Sequence, residues 1–137
     1  MFVQPYVFFD GRCEEAVDYY KSALGAEVKS LIRFKESPDQ SMVAPGTAEK
    51  IMHGEITIGD TTILVSDGRC GGNPGFQGFS LSITVEDEAD VDRLFNPLAE
   101  SGQVQMPLME TFFAKRFGMV IDKFGVMWMV IKYAASK

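Results

Sequence analysis

The chain repeats itself. Phe9-Asp10 and the run Glu14-Glu15-Ala16-Val17-Asp18-Tyr19-Tyr20-Lys21-Ser22-Ala23-Leu24-Gly25 return as Val85-Glu86, Ala89-Asp90-Val91-Asp92-Arg93-Leu94-Phe95, Leu98-Ala99 and Gly102. An echo of this length marks two copies of one supersecondary unit, a strand, a helix and further strands, with too little apolar surface in either copy to stand alone. The place to look for function is therefore the cleft that the two copies build together.

The repeat sets the domain plan: residues 1–137 as a single domain of two paired modules, about 1–67 and 79–137, joined by the glycine-rich linker 68–78. At 137 residues, 46% hydrophobic and 23% charged, the chain has the material for one core. A net charge of -6 excludes nucleic acid and anionic membrane surfaces as partners, because both demand clustered Lys and Arg and no basic stripe occurs. The start, Met1-Phe2-Val3-Gln4-Pro5-Tyr6, lacks the charged and apolar regions of a secretory signal. No run approaches the roughly 20 apolar residues of a membrane span. A cytoplasmic location is expected. Cys13 and Cys70 make no disulfide framework and supply too few ligands for a structural zinc site.

Val3 to Phe9 reads as a buried strand that stops at Asp10-Gly11. From Arg12 to Leu24 the residues Ala16, Tyr19, Tyr20, Ala23 and Leu24 recur at helical spacing, with acid at the start, Lys21 near the end and a glycine stop at Gly25. Glu27 to Phe34 is a strand, and Lys35 to Lys50 a long loop of the length that serves as a lid. Ile51 to Ile58 and Thr61 to Ser66 form a hairpin across Gly59-Asp60. The stretch Gly68 to Gly78 has no Lys-Ser/Thr companion and leads into no helix, so it is a linker and not a phosphate loop. The second copy follows as strand Phe79 to Val85, helix Glu88 to Ser101, and strands near Val104 to Leu108, Phe117 to Asp122 and Val126 to Tyr133. Pro97 inside that helix should kink or shorten it, at a cost of about 3 kcal/mol.

Alternation assigns faces. In Phe79 to Val85, Phe79, Leu81, Ile83 and Val85 alternate with Ser80, Ser82 and Thr84, so one face packs on a helix and the hydroxyl face lines a cleft or meets water. Val126 to Tyr133 is apolar on both faces, with Met127, Met129, Ile131 and Tyr133 on one side, and must be covered on both, by a helix below and by a ligand or a second subunit above.

Pro5-Tyr6-Val7-Phe8-Phe9-Asp10-Gly11, Cys13-Glu14-Glu15-Ala16, Tyr20-Lys21, Leu24-Gly25-Ala26-Glu27, Met52-His53, Gly59-Asp60, Glu110-Thr111-Phe112-Phe113, Arg116-Phe117-Gly118 and Asp122-Lys123-Phe124-Gly125 before Trp128 stand in one order across nearly the whole chain. In that order they resemble the PhnB-like family of the vicinal oxygen chelate superfamily, which holds glyoxalases, bleomycin-resistance proteins and extradiol dioxygenases. The resemblance implies an α+β fold of two βαβββ modules forming a cupped eight-stranded mixed sheet, and a homodimer. It also implies four metal-ligand positions, which by spacing carry over to Pro5, Leu64, Ser80 (or Phe79) and Met129. None of these suits a divalent ion, which needs carboxylate, imidazole or thiolate donors, so no metal site and no cofactor is expected there. Members of the family carry the label of ubiquinone-pathway methyltransferases, yet the chain shows no glycine-rich strand-to-helix turn of the nucleotide-binding type and is short for a doubly wound domain.

The only histidine, His53, precedes Glu55 by two residues, on a strand face shared by Ile51 and Thr57. The pair reads as a general base steadied by its carboxylate, or as an exposed polar face. Cys13, in the first turn of a helix, is a redox-sensitive thiol or a small packing residue, with Glu14 and Glu15 opposing the thiolate. Phe112 and Phe113 would point to opposite faces of a strand, one over a ligand and one into the core, flanked by Glu110, Lys115 and Arg116 as ligand-orienting groups or as a solvated cluster. The ligand pocket expected from these faces comprises Leu64, Ser66, Ser80, Ser82, Phe112, Phe113, Met127, Met129 and Tyr133. Three functions compete: a small-molecule binding protein without the usual metal ligands; an enzyme of the glyoxalase or dioxygenase type working through His53 and Glu55 by acid-base chemistry or with a divalent metal; and a dimeric scaffold without a ligand.

Overall fold

In the computed structural model, residues 1–71 and 74–135 are described, Met42 in its backbone alone, so Gly72 and Asn73 of the linker and the last two residues lie outside the described residues. The chain divides into two compact units, Met1–Pro74 and Gly75–Lys137, with the boundary inside the glycine-rich linker. The first runs β1 (Tyr6–Phe8), α1 (Cys13–Leu24), β2 (Glu27–Arg33), β3 (Ile51–Ile58) and β4 (Thr61–Ser66). The second runs β5 (Leu81–Thr84), α2 (Glu88–Glu100), β6 (Gln103–Met109), β7 (Ala114–Ile121) and β8 (Met127–Tyr133). Each unit holds one four-stranded mixed sheet, ordered β1-β4-β3-β2 and β5-β8-β7-β6. In both, the first strand pairs parallel with the last and the others pair antiparallel. The repeat in the sequence is thus a repeat of topology, and the fold is α+β with its eight strands shared four and four.

Helix α1 buries Cys13, Ala16, Val17, Tyr20 and Leu24, a stripe at helical spacing, and carries Glu14 and Glu15 in its first turn and Lys21 in its last. It stops at Gly25, which takes the left-handed conformation (φ 70) while Gly25 N and Ala26 N donate to the carbonyls of Lys21 and Tyr20 at 3.2 Å each. Its start has no local cap, because Arg12 cannot accept a hydrogen bond. The cap comes from the end of β4: Asp67 Oδ1 accepts from Gly11 N at 3.0 Å and from Cys13 N at 2.7 Å. Its Oδ2 accepts from Ile51 N at 2.7 Å, so one carboxylate, 1% exposed, joins the β1–α1 turn to the start of β3. Cys13 lies beneath this cap, fully buried; burial first, then the charges of Asp67 and Glu14, pushes its thiol well above the ordinary range. The packing reading of Cys13 fits this environment, and both cysteines are free.

Helix α2 buries Val91, Leu94, Phe95 and Leu98 against β7 and β8. Pro97 does not end it: the helix runs on to Glu100, contrary to the shortening expected from the sequence, because Phe95 and Leu98 on either side of the proline are held in the core. The close approach of α2 to the sheet requires Gly118, where a Cβ would stand 2.7 Å from Phe95 Cε1. Gly54 of β3 is equally confined, with Leu31 Cδ2 at 2.6 Å from the same imagined atom. At the β7–β8 turn, Asp122 is 3% exposed. It accepts from Phe124 N at 2.8 Å, Val126 N at 3.1 Å and Trp128 Nε1 at 2.8 Å.

Several ends differ from the sequence reading. β1 begins at Tyr6 and not Val3, since Met1, Phe2 and Val3 are exposed. β5 is shorter than Phe79 to Val85, and Phe79 is 48% exposed. The segment from Lys35 to Lys50 holds short 3-10 turns at Phe34–Glu36 and Gln40–Met42 and is closed at its base by Phe34 N to Lys50 O and Lys35 N to Ala48 O, both 3.0 Å. Among the described residues no helix is long and apolar enough to cross a membrane.

Two predictions follow from the buried groups. Asp67→Ala strands two buried N–H donors and one half-buried one and is expected to lower unfolding free energy by about 3 kcal/mol in urea titration, and a loss below about 1 kcal/mol would show that the carboxylate does not hold the unit together. In the native protein a thiol reagent at pH 8 is expected to modify Cys70 before Cys13, with Cys13 reacting only in denaturant; equal native rates would contradict the burial described.

Candidate functional site

Val7 on β1 and Phe9 just past its end are buried, and the Phe9 ring meets Tyr20 of α1 with centroids 6.0 Å apart. Tyr6 and Phe8 alternate with them and so lie on the sheet face away from the helix, 40% and 50% exposed. Register carries this open face across the sheet: Tyr6 pairs with Leu64, Leu64 with Glu55, and Glu55 with Ser30, while His53 pairs with Ile32. Gly54 between His53 and Glu55 points to the helix side with Val65.

The aromatic rings on this face are ordered. Tyr6 and Phe8 stack with centroids 4.7 Å apart and planes 5° from parallel. His53 stands edge-on to Tyr6 at 5.5 Å, and Tyr6 Oη and His53 Nδ1 share a hydrogen bond of 2.8 Å. Burial holds the Tyr6 phenol above its ordinary pKa, so it keeps its proton at neutral pH. The sequence reading steadied His53 with Glu55; the structure steadies it with Tyr6 instead, and no hydrogen bond joins His53 to Glu55 among the described residues. Glu55 is half-buried two residues along the same strand. Tyr6 and Phe8 were missing from the expected site, although their alternation with Val7 and Phe9 was the available signal.

The other expected residues fall into separate groups. Leu64 belongs to the open face just described and is half-buried. Ser66 is 3% exposed; its Oγ donates to Met52 O at 2.8 Å and accepts from Gly68 N at 2.9 Å, and a hydrogen bond between the same hydroxyl and the Tyr6 phenol partly offsets the effect of burial there. In the second unit Ser82 pairs with Met129 across β5 and β8, and Ser80 lies just before β5, half-buried. Met129 and Met119 pack on a buried cluster of Ala114, Phe117 and Ile131, while Met127 pairs with Ile121 and Tyr133 is half exposed.

Phe112 and Phe113 are not in a strand. They form the tip of the β6–β7 turn, closed by Thr111 N to Ala114 O at 2.9 Å and Ala114 N to Thr111 O at 3.4 Å. A tip residue follows no strand alternation, so the strand premise fails, and the two rings part for another reason: Phe113, itself 39% exposed, rests on buried Phe117 at 5.4 Å, while Phe112 is 96% exposed. Arg116 is likewise committed to the fold, with Nε and Nη2 on the two oxygens of Asp92 in α2 at 2.5 and 2.9 Å. That guanidinium holds the Asp92 carboxyl below its usual range.

A surface cavity of about 230 Å³ opens beside the start of α1, lined by Gly11, Arg12, Glu14, Glu15, Glu49, Lys50 and Asp67. Its charges are paired already. Glu14 takes Arg33 on both oxygens at 2.6 and 3.0 Å, Glu49 takes Lys35 at 2.8 Å, Glu15 takes Arg12 at 3.1 Å, and Lys50 Nζ donates to Gly11 O at 2.8 Å. This is an ion-pair network bracing α1, β2 and the base of the 35–50 segment.

The metal that the superfamily implies finds no suitable donors here. Pro5, Leu64, Ser80 and Met129 offer a ring, an isobutyl group, a hydroxyl and a thioether, and Pro5 itself serves β1 by accepting from Leu64 N at 3.0 Å. Among the described residues no group of three or more His, Cys, Asp or Glu is placed to hold an ion.

Comparison with known proteins agrees with this architecture. The chain is 36% identical to Protein YjdN of Escherichia coli (strain K12) over 138 residues, covering 93% of this chain and 92% of that protein. Among solved structures it is similar to protein PA1353 from Pseudomonas aeruginosa, with 39% identity, coverage of 96% and 97%, and a TM-score of 0.84. A PhnB protein from Bacillus cereus follows at 29% identity, coverage of 96% and 99%, and a TM-score of 0.80. A glyoxylase/bleomycin resistance protein/dioxygenase domain from Frankia sp. EAN1pec shares the fold, with 18% identity, coverage of 100% and 95%, and a TM-score of 0.69. The profile of the 3-demethylubiquinone-9 3-methyltransferase family matches residues 2–131. With that match over almost its whole length, the chain belongs to this PhnB-like family and has the glyoxalase/bleomycin resistance/dioxygenase fold.

Proposed function

We propose that the protein binds a small organic molecule, and that the open face of the first sheet receives its ring. The observation that carries this reading is the exposed Tyr6–Phe8 stack beside a histidine whose orientation is set by a 2.8 Å hydrogen bond. Large aromatic surfaces left toward solvent with one oriented polar group are the usual makings of a small-molecule site. The carried-over metal positions hold no suitable donors, which argues for recognition by stacking and hydrogen bonding. The methyltransferase description of the family assigns no substrate to this chain, since family and fold do not set function.

The same hydrogen bond favours a second reading, an acid-base enzyme in which His53 moves a proton with Tyr6 as its partner. Thermal-shift screening of planar aromatic compounds separates the cases. Binders are expected to raise Tm, Phe8→Ala to weaken them by about tenfold, and His53→Ala to abolish any turnover. Binders untouched by both Phe8→Ala and Tyr6→Ala would place the ligand elsewhere and sink the proposal.

The protein is further proposed to be a homodimer that pairs through the outer strand of the second sheet. Val104, Met106 and Met109 on β6 are 46%, 37% and 42% exposed, and Phe112 at its end is more exposed still. Pro107 and two register shifts blunt β6 as an edge for strand pairing, so side-chain contact is the expected mode. Light scattering on eluting protein should show a dimer that Met109→Asp with Phe112→Asp converts to monomer. A wild-type monomer at about 100 µM, a protein concentration far above the Kd of a stable complex, would refute it.

A further inference from the structure

The open face of the first sheet carries two polar groups, His53 and Glu55, that keep hydrogen-bonding capacity to spare. Among the described residues the imidazole of His53 has one hydrogen bond, through Nδ1 to Tyr6 Oη, and the Glu55 carboxylate has neither a hydrogen bond nor an ion pair. Which way the Tyr6–His53 bond runs decides what the imidazole offers. A phenol is the better donor and an imidazole nitrogen the better acceptor, so Tyr6 O–H donates to Nδ1 and the ring proton sits on Nε2. Burial of the Tyr6 hydroxyl, which keeps it protonated, supports the same direction. His53 therefore presents an N–H donor.

Glu55 presents the complement. It lies two residues along β3 on the same face, about 6.6 Å from His53 along the strand. Leu64, paired with Tyr6 on one side and Glu55 on the other, provides an apolar floor between them. An uncompensated carboxylate on a half-buried face repels anions, and the net charge of -6 adds to this.

Resting on the small-molecule reading above, we infer that the ligand is an uncharged aromatic compound with an acceptor oxygen at one end for His53 Nε2–H and a hydroxyl at the other for Glu55, its ring lying on Leu64 beside Tyr6 and Phe8. Donor and acceptor stand two residues apart on β3, the apolar floor beside them on β4, and Tyr6 and Phe8 beyond it on β1. Aromatic carboxylates are excluded by Glu55, and aromatic hydrocarbons leave both polar groups unpaired, which costs affinity.

The test uses the single histidine, whose imidazole signals need no assignment. Long-range proton–nitrogen spectra at neutral pH should show Nε2 protonated; protonated Nδ1 would overturn the inference. The probe is 4-hydroxyacetophenone, titrated by NMR against 4-methoxyacetophenone, 4-ethylphenol and 4-hydroxybenzoate. Each of the three should bind about tenfold or more weakly than the probe, and Glu55→Gln should tighten 4-hydroxybenzoate by about tenfold. If the four compounds bind alike and perturb Phe8 and Leu64, the donor–acceptor inference fails while small-molecule binding stands. If none perturbs that face at millimolar concentration, both fail. Unfolding of Glu55→Gln is checked by its Tm, and the comparison among compounds on wild-type protein decides without it.

Discussion

The first unit is organised around the Asp67 carboxylate. Two of its three hydrogen bonds reach the turn between β1 and α1 and the third reaches the first residue of β3, so a single buried charge sets the relation of strand, helix and hairpin. A charge in that position is tolerable only because backbone N–H groups replace its water, and the unsatisfied N-terminus of α1 supplies two of them. The capping that sequence places beside a helix is here delivered from more than fifty residues away. In the second unit another buried carboxylate, Asp122, does a different job: it closes the β7–β8 turn and holds the Trp128 indole against the core.

With the helix fixed on one side, each sheet has a dry face and an open one. The dry faces are alike, branched aliphatic and aromatic residues meeting a helix, with Gly54 and Gly118 where packing leaves no room for a Cβ. The open faces differ in chemistry. That of the first sheet carries aromatic rings, an imidazole and a carboxylate, whereas the corresponding side of the second holds the buried cluster of Ala114, Phe117 and Ile131 with Met119 and Met129 packed on it. The helix-side faces of the two units are thus alike and the opposite faces differ: among the described residues the first offers an imidazole and a carboxylate for hydrogen bonding, the second the hydroxyls of Ser82 and Thr84.

Much of the fold was legible in the residues. The stripe of Ala16, Tyr20 and Leu24 ending at Gly25 marked α1, and the hairpin across Gly59-Asp60 was read to the residue, because both rest on local periodicity and turn chemistry. The span of α2 was read to within one residue, and Pro97 does not cut it short, because packing on both sides of the proline outweighs a local preference. Phe112 and Phe113 misled because strand alternation was applied to a turn. Of the expected site, His53 and Leu64 do lie on the open face with Glu55, but the residue that orients His53 is Tyr6, forty-seven positions distant. Ser66 clamps backbone at Met52 and Gly68 and also acts on the Tyr6 phenol, a pairing no local pattern displays.

By itself the sequence determined the duplication and the order of strands and helices, since these depend on repetition and on the fixed periods of helix and strand. Only the tertiary structure decided which distant groups meet: Asp67 with the start of α1, Tyr6 with His53, Arg116 with Asp92. Hydrogen bonds and ion pairs between such groups leave no periodic trace along the chain. Their existence depends on register and crossover, which place residues of remote number side by side.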